Sequence, residues 1–207
     1  MHAVCNARFM VVEQALHRQP REDADRRADL LRGAVEHVLA EGLADLSLRP
    51  LAAALGTSAR MLVYYFGSKE RLILDVLAAV RRQKHMEIAA LARADSLRGY
   101  WTWAASAQGQ RYLRLVYEVY GLSVRDPERF GSFLSEETAE ELAFVRAMFE
   151  EPALTESSRD ALATYTFAAV RGFELDLLAT GELARINAAF DLFEADLARR
   201  IQEGATR

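Results

Sequence analysis

The chain has 207 residues, of which 51% are hydrophobic, with only 4 prolines and 11 glycines. This excludes a disordered chain, because there is enough apolar surface to offset the entropy of ordering, and it leaves room for one large domain or a small one joined to a larger. The formal net charge of −4 excludes a uniformly basic coat, yet residues 1–90 carry 13 Lys/Arg against 11 Asp/Glu while residues 91–207 carry 13 against 19.

In chain order, residues 1–25 read as an arm of uncertain order that ends in the charged run Arg21–Arg27. Leu30, Leu31, Ala34, Val35, Val38 and Leu39 then recur at intervals of three and four, which lines one face of a helix. Glu41-Gly42 closes it, because glycine takes the left-handed cap without strain. Ser47 is an N-cap, and Pro50 falls in the first turn, where its missing N–H costs little. Leu48, Leu51, Ala52 and Leu55 are the apolar face of this second helix, which Gly56 ends. Ser58 caps a third, Ala59–Tyr65, of about seven residues or roughly 10 Å. Gly67-Ser68 breaks the chain again, and a longer helix starts at Lys69 with the stripe Leu72, Ile73, Val76, Leu77 and Val80, followed by the polar run Arg81–Lys84. Further helix starts fall at Asp95 or Ser96, at Asp126-Pro127, at Ser135 and at Thr155. The last two helices span about Ser157–Ala179 and Leu183–Gln202, parted by Gly181. No alternating strand pattern persists, so the expected fold is all-α.

Two short helices joined by Gly56-Thr57-Ser58 and preceded by a longer one have helix-turn-helix proportions. In such a unit the second short helix enters the major groove. Leu62 and Phe66, four residues apart, are its inward anchors, which leaves Arg60, Val63 and Tyr64 outward. Between Asp45 and Asp75 the charges are Arg49, Arg60, Lys69, Glu70 and Arg71, a locally basic stretch that reads either as a nucleic-acid face or as a solvated surface.

Leu48–Glu70 reads LRPLAAALGTSARMLVYYFGSKE, with a Gly-x-Ser turn, a Leu-x-x-Tyr-Phe run and a Ser-Lys-Glu helix start. It resembles the DNA-binding signature of the TetR family of transcriptional regulators, and the resemblance is dense from near Asp29 to Val76. It implies a three-helix DNA-binding domain over residues 26–72 and a larger helical domain over 73–207 for ligand binding and dimerisation. It also implies roles by position. Arg49 stands where the family contacts phosphate from the first short helix. Ser58, Tyr64 and Tyr65 stand at backbone-contacting or scaffold positions. Ala59, Arg60, Met61 and Val63 occupy the base-reading surface, and Lys69 matches the phosphate-binding lysine at a helix N-terminus. The sequence departs from the family in carrying Arg60 where a small residue is usual and Val63 where an aromatic is common, so no operator sequence transfers. A guanidinium at position 60 can pair bidentately with guanine or bind phosphate, and a solvated arginine is the alternative reading.

Other chemistry finds little footing. His2, His17, His37 and His85 form no His-x-x-x-His pair, so no metal site is expected. Nor is any cofactor, catalytic residue or phosphate-cradling glycine loop expected. Cys5 is the only cysteine, which fits a reducing cytoplasm. No signal peptide and no membrane span of about 20 apolar residues is read. Ser135–Glu141 reads as an acidic helix start. Among the C-terminal aromatics, Trp101, Trp103, Tyr117, Tyr120 and Tyr165 are the candidate lining of a pocket for a small, mainly apolar effector. Arg171, Glu174 and Asp176, on an otherwise apolar helix, either orient a ligand or form interhelical ion pairs. Leu162, Ala169 and Gly172 on one helix, with Phe190, Phe193 and Leu197 on the next, are the candidate homodimer interface. The expected protein is thus a ligand-responsive, dimeric repressor that binds an operator in double-stranded DNA. The alternative is a helical ligand-binding or protein-interaction module that does not bind DNA.

Overall fold

The structure, a computed structural model, describes residues 3–91, 97–149 and 154–205. Among these residues all regular structure is helical, which follows from a sequence rich in straight-chain helix formers and poor in breakers. The chain divides into two compact units, residues 1–79 and 80–207.

The first unit contains α1 (Ala3–Glu41), α2 (Leu48–Ala54), α3 (Ala59–Phe66) and the first half of α4 (Lys69–Leu91). α1 reaches back through the segment read as an arm, and Ala3–Gln19 contains neither glycine nor proline to stop it. Leu30, Ala34, Val35 and Val38 of α1 bury with Leu51 and Ala52 of α2, Leu62 and Phe66 of α3, and Leu72, Ile73, Val76 and Leu77 of α4. Leu43 and Leu46, in the α1–α2 connection, join them. Burying a side chain of this size contributes about 1.5–3 kcal/mol, so one core fixes all four helices. The turn between α2 and α3 needs Gly56, whose φ of 61° lies in the left-handed region that other residues enter at a cost. Ser47 stands at the N-cap of α2 but makes no side-chain cap hydrogen bond, whereas Ser58 Oγ accepts from Met61 N and caps α3.

The second unit continues α4 and adds α5 (Leu97–Ala105), α6 (Ala107–Arg125), α7 (Pro127–Ala147), α8 (Glu156–Thr180) and α9 (Leu183–Ala205). α5 packs on α6 and α8, α6 on α7, α7 on α8, and α8 on α9. The helix start expected at Asp95 or Ser96 lies outside the described residues. Two boundaries differ from the sequence reading. Ser135 lies inside α7, because Pro127 already starts that helix and the chain beyond Ser135 is still good helix former. The break at Ser106 has no glycine or proline to announce it. Ser106 caps α6 by accepting from Gly109 N, and its hydroxyl and amide both donate to the Trp103 carbonyl. This crossing is so tight that a Cβ on Gly109 would stand 2.1 Å from that carbonyl oxygen.

Candidate nucleic-acid interface and ligand cavity

α3 is held from one side only. Leu62 and Phe66 are 1% and 3% exposed, while Tyr64 and Val63 on the opposite face are 66% and 42% exposed. Arg60 and Met61 share the exposed face, Ala59 is half-buried, and Ser58 is exposed with its oxygen engaged in the cap. Tyr65, expected at a backbone-contacting or scaffold position, lies apart from that exposed face. It is half-buried, its hydroxyl donates to Asp23 at 3.3 Å, and its carbonyl accepts from Arg27 Nε at 3.2 Å. Arg27 also pairs with Asp75 at 2.5 Å and sits 4.9 Å from the Phe66 ring centre. One arginine of α1 therefore ties the C-terminal end of α3 to α4, and Tyr65 belongs to that tie. Arg49 and Arg60 are exposed and Lys69 is half-buried at the first residue of α4. Among the described residues, none of the three makes a side-chain hydrogen bond or ion pair. Cations without carboxylate partners around a rigid, protruding helix are free to meet phosphates and base edges.

The second unit holds a small, partly open hollow lined by Leu97, Tyr100, Phe144, Val145, Met148, Phe167, Val170, Glu141, Arg171 and Glu174. Its polar wall belongs to a buried network. Lys84 of α4, 3% exposed, pairs with Glu137 and, at 2.8 Å, with Glu141 of α7. Arg171 of α8 pairs with Glu141 at 2.9 Å and lies 4.0 Å and 4.5 Å from the ring centres of Phe167 and Tyr120. Glu174 accepts from the Tyr100 hydroxyl at 2.7 Å and the Tyr117 hydroxyl at 2.5 Å, and the Tyr112 hydroxyl donates to Glu137. Burial would raise Glu137, but Lys84 and Tyr112 hold its carboxyl below the ordinary value. Burial pushes Glu141 up to about 7, against the pull of Lys84 and with the help of the Glu137 charge. Burial also raises Glu174, against the opposing pull of the two tyrosine hydroxyls and Arg171. The same burial lowers Arg171 from its usual range.

Residues 30–76 match the sequence profile described as bacterial regulatory proteins, tetR family. These residues therefore carry a domain of the tetR-family DNA-binding type. Solved structures share the fold of the chain. The multidrug binding protein EbrR complexed with imidazole shares 21% identity over 84% of this chain and 94% of that one, with a TM-score of 0.61. A putative TetR-family transcriptional regulator from Mesorhizobium loti shares 17% over 89% and 95%, with a TM-score of 0.59. NalD, the secondary repressor of the MexAB-OprM multidrug efflux pump in Pseudomonas aeruginosa, shares 19% over 86% and 96%, with a TM-score of 0.51. No curated protein matches the chain. Among the described residues no helix is long and apolar enough to cross a membrane, and no group of His, Cys, Asp and Glu is arranged to hold a metal. His2 lies outside the described residues.

None of the five aromatics chosen from the sequence lines the cavity. Trp101 and Trp103 are 2% and 4% exposed. Trp101 stacks on Phe190 at 4.8 Å between ring centres and donates to Asn187 at 2.7 Å, and Trp103 donates to Glu87 at 3.1 Å. Tyr117 and Tyr120 stand behind the wall, on Glu174 and Arg171. Tyr165 is on the outer surface against Phe193. Arg171 and Glu174 reach the cavity, whereas Asp176 pairs with Arg185 at 2.8 Å on the surface. Sequence reasoning missed Lys84, Glu137 and Glu141. The signal was the four-residue spacing Val76, Val80, Lys84, which continues the buried stripe of α4 through a lysine.

The candidate dimer residues also divide. Phe190, Phe193 and Leu197 are 0%, 7% and 7% exposed. These three pack inward within the protomer, where the Trp101–Phe173–Phe190 cluster takes them up. Leu162 and Ala169 are half-buried and Gly172 is exposed. The uncovered apolar faces are Ala168, Gly172 and Leu175 on α8 and Ala188, Leu192 and Ala195 on α9.

Proposed function

We propose that this protein is a homodimeric, cytoplasmic transcriptional regulator without catalytic activity, a repressor released from its operator by a small molecule. In this reading residues 26–72 bind DNA and residues 73–207 bind the effector and form the dimer. The observation that carries it is the face of α3: a helix anchored by Leu62 and Phe66, protruding with Arg60, Met61, Val63 and Tyr64, and flanked by the unpaired cations Arg49 and Lys69. A mere adaptor has no need of that chemistry. The cavity of the second unit supports an effector, since a largely apolar hollow with a few polar groups is the usual form of a small-ligand site. The description of NalD as a repressor and of EbrR as a multidrug binding protein is consistent with both roles.

For the dimer we propose the uncovered faces of α8 and α9 around Gly172, Leu175 and Leu192. Two recognition helices related by a two-fold axis then meet successive major grooves of a near-palindromic site. Genomic fragments captured by the pure protein, trimmed to one duplex, test this in an anisotropy titration with sedimentation alongside. A dimer at about micromolar concentration should prefer that duplex over random DNA by on the order of a thousandfold or more. Gly172→Arg should leave a folded monomer that has lost the preference, because a Cβ at Gly172 meets open space within the protomer. A tight-binding monomer refutes the dimer, and absence of any preferred duplex favours the non-DNA module. An effector should weaken operator binding by about 5- to 150-fold, and operator must weaken effector binding by the same factor.

A further inference from the structure

The exposed face of α3 is made of Arg60, Met61, Val63 and Tyr64, and its chemistry is uneven. Adenine edges are bonded best by Asn or Gln, and the cytosine amine by Asp or Glu. α3 contains none of these four residue types. Ser58 stands beside the face, but its oxygen accepts from the Met61 amide in the helix cap. Arg60 is therefore the one multidentate donor that α3 presents, and most of the remaining surface is apolar. At 3.6 residues per turn, Met61 and Val63 fall on opposite flanks of the line from Arg60 to Tyr64. Both flanks are open to solvent, at 36% and 42% exposure. Val63 is β-branched and held to one rotamer by its helix, so its methyl groups form a fixed surface. The Tyr64 ring meets the Tyr65 ring edge-on at 5.0 Å, and Tyr65 is tied in turn to Asp23. No Asp or Glu occurs from Ser47 to Lys69, whereas Arg49, Arg60 and Lys69 do. Charge complementarity thus makes a polyanion the occupant of this face. In the major groove of DNA the apolar feature on display is the C5-methyl group of thymine.

We propose that α3 selects its operator mainly through thymine methyl groups, with Val63 and Met61 packed against C5-methyls on either side of a single base read by Arg60. The inference rests on the reading of α3 as the DNA-binding helix. A thymine methyl against Val63 leaves water and gains apolar contact. A cytosine in its place would press its N4 amine against the same side chain with no acceptor, and an unpaired buried donor is costly. Each half-site should then centre on A·T pairs whose thymine methyls face the helix, around the one base that meets the guanidinium.

Deoxyuridine in place of thymidine removes the methyl and leaves base pairing and the hydrogen-bonding edge intact. The preferred duplex obtained from captured genomic fragments is synthesised with uracil at one thymine at a time and titrated with the full chain by anisotropy. Uracil at a contacted thymine should weaken binding about fourfold, as the loss of one buried methyl-sized group implies. The salt dependence should stay the same, because no phosphate contact is lost. Uracil outside the half-sites should leave the affinity unchanged. Val63→Ala should weaken binding to the thymine duplex and abolish the response to uracil at one position per half-site, while the responses elsewhere persist. Met61→Ala should do the same at a different position. This coupling belongs to a direct contact, and neither a stiffer duplex nor a poorly folded variant produces it. A preferred duplex that tolerates uracil at every thymine overturns the methyl reading and leaves the DNA-binding reading standing. Uracil responses that persist unchanged in both variants overturn Val63 and Met61 as the readers. If no duplex is preferred over random DNA, the DNA-binding reading fails and the inference falls with it.

Discussion

The two units use positive charge in opposite ways. Around α3, Arg49, Arg60 and Lys69 stand in or near solvent without a carboxylate partner. In the second unit Lys84 and Arg171 are buried or nearly so, and every strong contact they make is to a carboxylate or a ring face. The same residue types thus answer different needs. An exposed cation costs little to leave unpaired and remains available to an incoming anion. A buried one has been stripped of water and must be neutralised on the spot. What the contrast teaches is that partnering, and not the net charge of −4, separates the cations left available to an incoming anion from those used to hold the fold.

The contrast breaks most severely at Lys84. Lys84→Met leaves Glu137 and Glu141 without their shared cation and should destabilise the protein by about 3–5 kcal/mol in urea unfolding. Adding Glu137→Gln should restore part of it. A Lys84→Met variant as stable as the parent would mean that the buried network does not hold the unit together.

Next in size is the pH response of Glu141. The unfolded carboxyl ionises near its ordinary 4.5, whereas burial keeps the folded one protonated to about 7. Across that window the folded state binds more protons, so this group's contribution makes stability fall as pH rises. Glu141→Gln cannot titrate. The stability of the parent relative to this variant should therefore drop between about pH 4.5 and 7, by on the order of 3 kcal/mol. A difference that is flat in pH would show that Glu141 ionises normally.

The exposed cations should give the smaller and purely intermolecular effects. Arg60→Ala should cost about 1–3 kcal/mol on the operator if the guanidinium reads a base, and relax the preference at one position per half-site. Equal weakening on operator and random DNA would make it a phosphate-binding group. Lys69→Ala should weaken all duplexes alike and flatten the salt slope by about one unit for each phosphate it no longer neutralises. Neither should move the unfolding free energy by more than about 0.5 kcal/mol. A larger shift in stability would erase the distinction between the two kinds of cation.

How much of this was legible in sequence follows from which interactions are local. Helix stripes and glycine stops depend on neighbours three or four residues away. Leu30, Leu62, Phe66, Leu72 and Val76 were therefore identifiable as core, and α3 with its outward Arg60, Val63 and Tyr64 followed from the two inward anchors. The tie from Arg27 to Tyr65 and Asp75 spans 38 and 48 residues, and nothing in the local pattern announces it.

The second unit marks the boundary. The amino-acid sequence by itself determined an all-helical chain, the helix-turn-helix and its exposed chemistry, because hydrophobic period, caps and glycine turns are written in short stretches. Only the tertiary structure decided which aromatics are core and which line a cavity. It turned Phe190, Phe193 and Leu197 inward while leaving Leu175 and Leu192 bare, and it brought Lys84 to Glu137 and Glu141 across more than 50 residues. An amphipathic helix offers more than one apolar face, and a carboxylate at helical spacing reads as solvated until a neighbouring helix removes its water. That removal depends on which helices pack together, and the packing is settled by non-local contacts.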